Sequence, residues 1–285
     1  GADGYEDGAD SYFCSVTSLC EIFGYGQEEQ EQIKAVIQMK FSGADMGDIS
    51  RMMARQRRKE FAAFVESVYP KERVRELLGL FEDRTKDKQI KELVSPDATV
   101  PTIYEYLVGI AWYYFSGKKI DLLGSYNLTL SADFEPLVHA GGGQGDIVIY
   151  EDTRVVMLEA TLMNQNSQRR GEWEPVLRHS INLKAEEEAA GTGREVTTFF
   201  IADRFDYNTI NIWKAVASVP LQSSADPNRF TDHVVIMPVN TRELCALMEQ
   251  SSHYGEMISR VHQLFEVEGK AFDMDWRDKF MDAIV

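Results

Sequence analysis

The stretch GGGQGDIVIYEDTRVVMLEATLM, Gly141 to Met163, limits the possible folds more than any other part of the chain. It holds two apolar runs rich in β-branched residues, 146–150 and 155–161, joined through Glu151 and Asp152. Short runs of this kind, bounded by turn residues, read as two strands and a tight turn. Each run carries a carboxylate at an end: Asp146 opens the first, and Glu159 lies near the close of the second. In a hairpin those two ends are neighbours, so acids thirteen positions apart meet at one edge of a sheet. Like charges held together need a cation between them or a raised pKa, and hard oxygen ligands are what Mg²⁺ takes.

The rest of the chain supplies the frame. Residues 27–94 read as helical, with Val74, Leu77, Leu78 and Phe81 forming an apolar stripe at i, i+3, i+4 and i+7. Ile49, Met52 and Met53 begin a similar stripe, while Gly43 and Pro70 break the segments. RMMARQRRKEF, Arg51 to Phe61, is the one basic run here, and it reads as a solvated helix face or a phosphate contact. Ser95-Pro96-Asp97 marks a boundary, which predicts a helical subdomain over 1–96 and an α/β domain over 97–285. PTIYEYLVGIAWYYFSG is apolar nearly all round, hence a buried helix stopped by Gly117. Thr102 and Glu105 fit a capping box at its start. Beyond the hairpin, 172–190 reads as a helix ended by Gly191 and Gly193, with strands over 197–202 and 233–239. Near-continuous apolar strands separated by helices predict an α/β sheet covered on both faces.

Glu172, Val176, His179 and Leu183 lie on one row of the predicted helix, so a Glu and a His share its sheet-facing side. Together with Asp146 and Glu159 they make a candidate site. The order strand, Asp, turn, strand, Glu-Ala-Thr, then a helix bearing Glu and His resembles the PD-(D/E)xK nuclease fold. In detail it is similar to the AlwI group of type IIS restriction endonucleases and related nicking enzymes. The resemblance covers roughly 101–239 and is most specific over 145–179. It implies a mixed central sheet flanked by helices, with Asp146, Glu159 and Glu172 as metal ligands and His179 completing the catalytic set. Glu105 becomes a further candidate, since the first helix of this fold often contributes an acid. Gly145 replaces the usual Pro before the Asp, and Thr161 stands where a catalytic Lys is usual. The resemblance further implies Mg²⁺ as cofactor, with Mn²⁺ substituting, and an in-line attack of water on a DNA phosphodiester.

A formal net charge of −16 argues against a chain that grips DNA unaided, because phosphate neutralisation drives affinity. The chain begins without Met, and the expectation is a cleavage portion whose upstream recognition segment brings it to double-stranded DNA. Arg169, Arg170 and Arg178 flank the expected site and are candidate phosphate contacts. Cutting both strands with one site calls for two events or a dimer. Three cysteines without CxxC spacing, no signal peptide and no long apolar run point, with the family, to the prokaryotic cytoplasm and away from membranes. The alternatives are a repair or junction-resolving nuclease and a non-catalytic interaction module on the same fold; the missing lysine favours the second. A carboxylate-pair glycosidase ranks last.

Overall fold

The computed structural model describes residues 26–28, 31–32, 35, 46–139, 145–171, 173–266 and 275–285, without the side chains of 46–50. The contact pattern separates two units, 1–61 and 62–285. In the first, the described residues are 26–28, 31–32, 35 and the start of helix α1, Met46–Val68, on which residues 51–60 lie exposed. Gly43 lies outside the described residues.

In the second unit Pro70 separates α1 from α2, Lys71–Leu80, because proline lacks the N–H needed to continue a helix. Val74, Leu77 and Leu78 are buried, as the stripe requires. Helix α3, Asp87–Leu93, follows, and α2 and α3 both pack on α4, Val100–Phe115. Only the turn after it stops α4: Gly117 takes a φ of 69°, open to a residue without a Cβ. The capping box expected from Thr102 and Glu105 does not form. Thr99 is the N-cap and accepts from the Thr102 N–H, so Glu105 lies inside the helix.

A short helix α5, Leu122–Ser125, leads to an antiparallel pair, β1 (Leu128–Leu130) and β2 (Pro136–His139). The expected hairpin then appears as β3, Ile147–Tyr150, and β4, Arg154–Thr161, turning through 151–153. Helices α6 (Gln165–Gly171) and α7 (Trp173–Ala189) follow, and Gly191 and Gly193, both at positive φ, close α7. Strand β5 is Glu195–Ala202, and α8 is Tyr207–Val216. A two-residue pair, β6 (Leu221–Gln222) with β7 (Phe230–Thr231), precedes β8, Ile236–Asn240. The last strand therefore starts three residues later than 233–239 implied. The His233 carbonyl accepts from the Thr231 hydroxyl at 2.9 Å instead of joining a ladder. Asn240 and Glu243 form a full capping box on α9, Thr241–Leu247, and α10 (Tyr254–Phe265) and α11 (Trp276–Asp282) end the chain.

The main sheet has the order β3-β4-β5-β8, antiparallel between β3 and β4 and parallel thereafter. It is the mixed central sheet flanked by helices that the resemblance implies. Alternation along β5 shows both faces are covered. Phe199 meets Trp112 of α4 at 4.7 Å, whereas Phe200 packs edge-on to Trp213 of α8 at 5.0 Å, each pair adding about 0.5–1.5 kcal/mol beyond the area it buries. Leu183 of α7 joins Val155, Met157 and Val196 on the second face. Among the described residues no helix is long and apolar enough to cross a membrane.

Candidate active site

The register of the hairpin sets the site. Ile147 pairs with Leu158, so Asp146 and Glu159, one step further out, stand side by side where β3 begins and β4 nears its end. A backbone hydrogen bond from Asn127 N–H to the Asp146 carbonyl holds the approach to β3, and the Ala160 N–H donates to Asp146 Oδ2 at 2.8 Å. Glu159 faces α7. Its Oε1 lies 2.8 Å from His179 Nδ1, which confirms that His179 projects toward the sheet. Val176 and Leu183 on the same helical row are buried.

Glu105, released from any cap, points from α4 toward the same end of the hairpin. Its Oε2 lies 3.0 Å from Nδ1 of His139, the last residue of β2, and that nitrogen is 3.9 Å from Asp146 Oδ1. Donor atoms of Glu105, His139 and Asp146 all fall within 4.8 Å of one another. The three carboxylates are 8%, 9% and 7% exposed for Glu105, Asp146 and Glu159. Acids so buried persist only with partners or a cation, since desolvating an isolated charge is costly. Burial, helped by Arg178, holds the His179 imidazole below its ordinary value of 6.5, which favours its neutral form.

These groups line one open cleft of about 490 Å³, together with Arg84, Thr161, Met163 and Pro175. Thr161 is buried at the end of β4, and its hydroxyl accepts from the Met163 N–H at 3.2 Å, shaping the chain where it leaves the sheet. Gly145 explains its own presence. A Cβ there would meet Met157 Cγ and Sδ at 2.5 Å and Glu159 Oε1 at 3.2 Å. A proline, with a whole ring in that space, would have to displace Met157.

The remaining candidates divide. Glu172 lies outside the described residues. Arg169 is bound to the buried Asp206, the N-cap of α8, through Nε and Nη2 at 3.1 and 2.7 Å. Arg178 pairs with Glu174 one turn away on α7, and Arg170 is exposed. His139 escaped the sequence reading. Its one signal is a lone imidazole at a strand end, seven positions before Asp146 and just ahead of the Gly-rich stretch.

Buried acids and two imidazoles gathered at one end of a hairpin, in an open cleft on a mixed sheet, make a donor set that fits a divalent cation. The model of the AlwI restriction endonuclease family matches residues 26–247, and the chain belongs to that family. Membership implies a deoxyribonuclease that binds DNA. Comparison with curated proteins gives no match. Among solved structures, the chain is similar to the small subunit (R.BspD6I2) of the heterodimeric restriction endonuclease R.BspD6I. Identity there is 15% and the TM-score 0.48, over 73% of this chain and 96% of that one.

Proposed function

We propose that the chain is the cleavage portion of a type IIS restriction enzyme of the PD-(D/E)xK kind, hydrolysing DNA phosphodiesters with Mg²⁺ or Mn²⁺. The observation that supports this most is the placement of Asp146 and Glu159 side by side, with Glu105 brought to Asp146 from a separate helix. A buried acidic set fits a hard divalent cation. Asp146, Glu105 and Glu159 would hold it, with Glu172 a further proposed ligand from the family pattern. Bound there, the cation would offset the negative charge that develops on the phosphate under attack.

The protein's own groups supply the rest. With Nδ1–H donating to Glu159, His179 keeps a lone pair on Nε2 and is poised to accept a proton from the attacking water. Glu159 fixes that tautomer and the ring's orientation, as a carboxylate does for many catalytic histidines. This arrangement supplies a base where Thr161 replaces the usual lysine. Arg84, the one arginine lining the cleft, is a proposed phosphate contact, which would require it to leave or share its ion pair with Asp87 at 2.9 Å. Sequence recognition belongs to a segment upstream, which reconciles the site with a charge of −16.

The test is relaxation of supercoiled plasmid at high protein and low salt, with Mg²⁺, Mn²⁺ or EDTA, alongside Asp146→Ala. Nicking is expected only with metal and should fall about a hundredfold or more in the variant. Nicking that survives EDTA, or that Asp146→Ala retains, would remove this site from the reaction. An inert chain that stays inert when joined to its upstream segment would favour the interaction module.

A further inference from the structure

We propose that His139 is a direct metal ligand, adding an imidazole nitrogen to the carboxylate oxygens of Glu105, Asp146 and Glu159, so that the site prefers divalent transition ions over Mg²⁺. The proposal deepens the nuclease reading and rests on it only in taking the cation to be the one that cleavage uses. Three observations carry it. First, the Glu105, His139 and Asp146 donors come from three separate elements, α4, β2 and the approach to β3, yet their atoms converge within 4.8 Å. Second, the spacing suits coordination. Octahedral bonds of about 2.1 Å put neighbouring donors about 3 Å apart and opposite ones about 4.2 Å apart. The Nδ1 to Oε2 distance of 3.0 Å matches an edge, and 3.9 Å to Asp146 Oδ1 lies between edge and diagonal. Third, Glu159 Oε1 is already engaged by His179, so the second imidazole of the cleft faces a different pair of acids. The two histidines thus have separate duties: His179 serves Glu159 and water, and His139 serves the cation.

Coordination through Nδ1 needs the tautomer with its proton on Nε2. His139 has 37% of its side chain exposed, so solvent can carry that proton between ring nitrogens with none gained or lost overall. An imidazole in the ligand set favours later divalent ions, whereas Mg²⁺ prefers oxygen donors throughout.

The probe is Mn²⁺ alone, added to the full chain and followed by electron paramagnetic resonance. Titration gives affinity, and electron spin-echo modulation detects a directly bound imidazole nitrogen. The unaltered protein should show nitrogen modulation, and Mn²⁺ should outcompete Mg²⁺. His139→Gln should lose the modulation and bind Mn²⁺ about tenfold more weakly, with a smaller change for Mg²⁺. His179→Gln should keep the modulation. Circular dichroism and thermal melting confirm folding, with His139→Asn as a second variant if the first is unstable. Modulation that survives loss of His139, or an unaltered protein with none, overturns the proposal. The plasmid assay separates the two readings. Mn²⁺ held through Asp146 without nitrogen, in a protein that nicks, removes only His139. Nitrogen modulation in a protein that never nicks keeps the ligand and removes the nuclease.

Discussion

At the scale of single residues, the site depends on atoms that are absent as much as on charges that are present. Gly145 precedes the key aspartate, and the space its missing Cβ leaves is filled by Met157 and bordered by Glu159 Oε1. Gly145→Ala should therefore cost about 1–3 kcal/mol, the usual range for overpacking a well-filled core, measured by urea unfolding. Met157→Ala removes both clashing atoms, so the double variant should lose less stability than the two single losses summed. Strict additivity would mean that Met157 does not set the requirement for glycine. The residues legible in the sequence were those whose meeting depends on local geometry. Asp146 and Glu159 are joined by one turn, and His179 follows from helical spacing on the row that also buries Val176. The Glu105–His139 contact spans 34 positions and is made by tertiary packing, so no local pattern announces it. Glu105 even carried a misleading local signal, because Thr99 took the capping role that Thr102 seemed suited to fill.

Elements were readable where period and composition agreed, as in α4, the hairpin, α7 and β5, and their ends blurred where side chains compete for the backbone, as Thr231 does ahead of β8. Sheet order was not readable, because nothing in a strand's own sequence names its non-adjacent neighbour. One such packing, α10 against β5, has a consequence for pH dependence. His262 of α10 is buried, and its Nε2 lies 2.6 Å from the buried Thr197 hydroxyl. Burial holds the imidazole below its ordinary value of 6.5, with His233 and Lys184 acting the same way and Glu195 and Glu266 opposing. Its folded pKa is thus below its unfolded one, so between the two the unfolded chain binds the extra proton. Stability from this group is fully present above about pH 6.5 and is lost as pH falls through the folded value. His262→Gln should cost about 1 kcal/mol at pH 8 through the lost hydrogen bond, yet flatten the decline below pH 6.5. Equal slopes in both proteins, measured by denaturant midpoints from pH 8 to 5, would show that this contact is not what titrates.

For the whole molecule, the charge balance sets how it can meet DNA. Thirty Lys and Arg against forty-six Asp and Glu leave −16, and the cleft itself is acidic. The cations at or beside it are few. Arg84 lines its wall and pairs with Asp87, Arg178 neighbours His179 and pairs with Glu174, and Arg169 is bound to the buried Asp206. Two or three phosphate contacts would give a log–log salt slope of about −1.8 to −2.7. Between 50 and 200 mM salt, affinity should then fall roughly 10- to 40-fold, against about 10³–10⁵ for proteins that contact six to ten phosphates. Fluorescence anisotropy with a labelled duplex, in the absence of divalent cation, measures this directly. A shallow slope supports a cleavage module that relies on another segment for its grip. A steep one would mean that a basic surface such as Arg51 to Lys59 on α1 also holds DNA, and the division of labour between binding and cleavage would have to be abandoned.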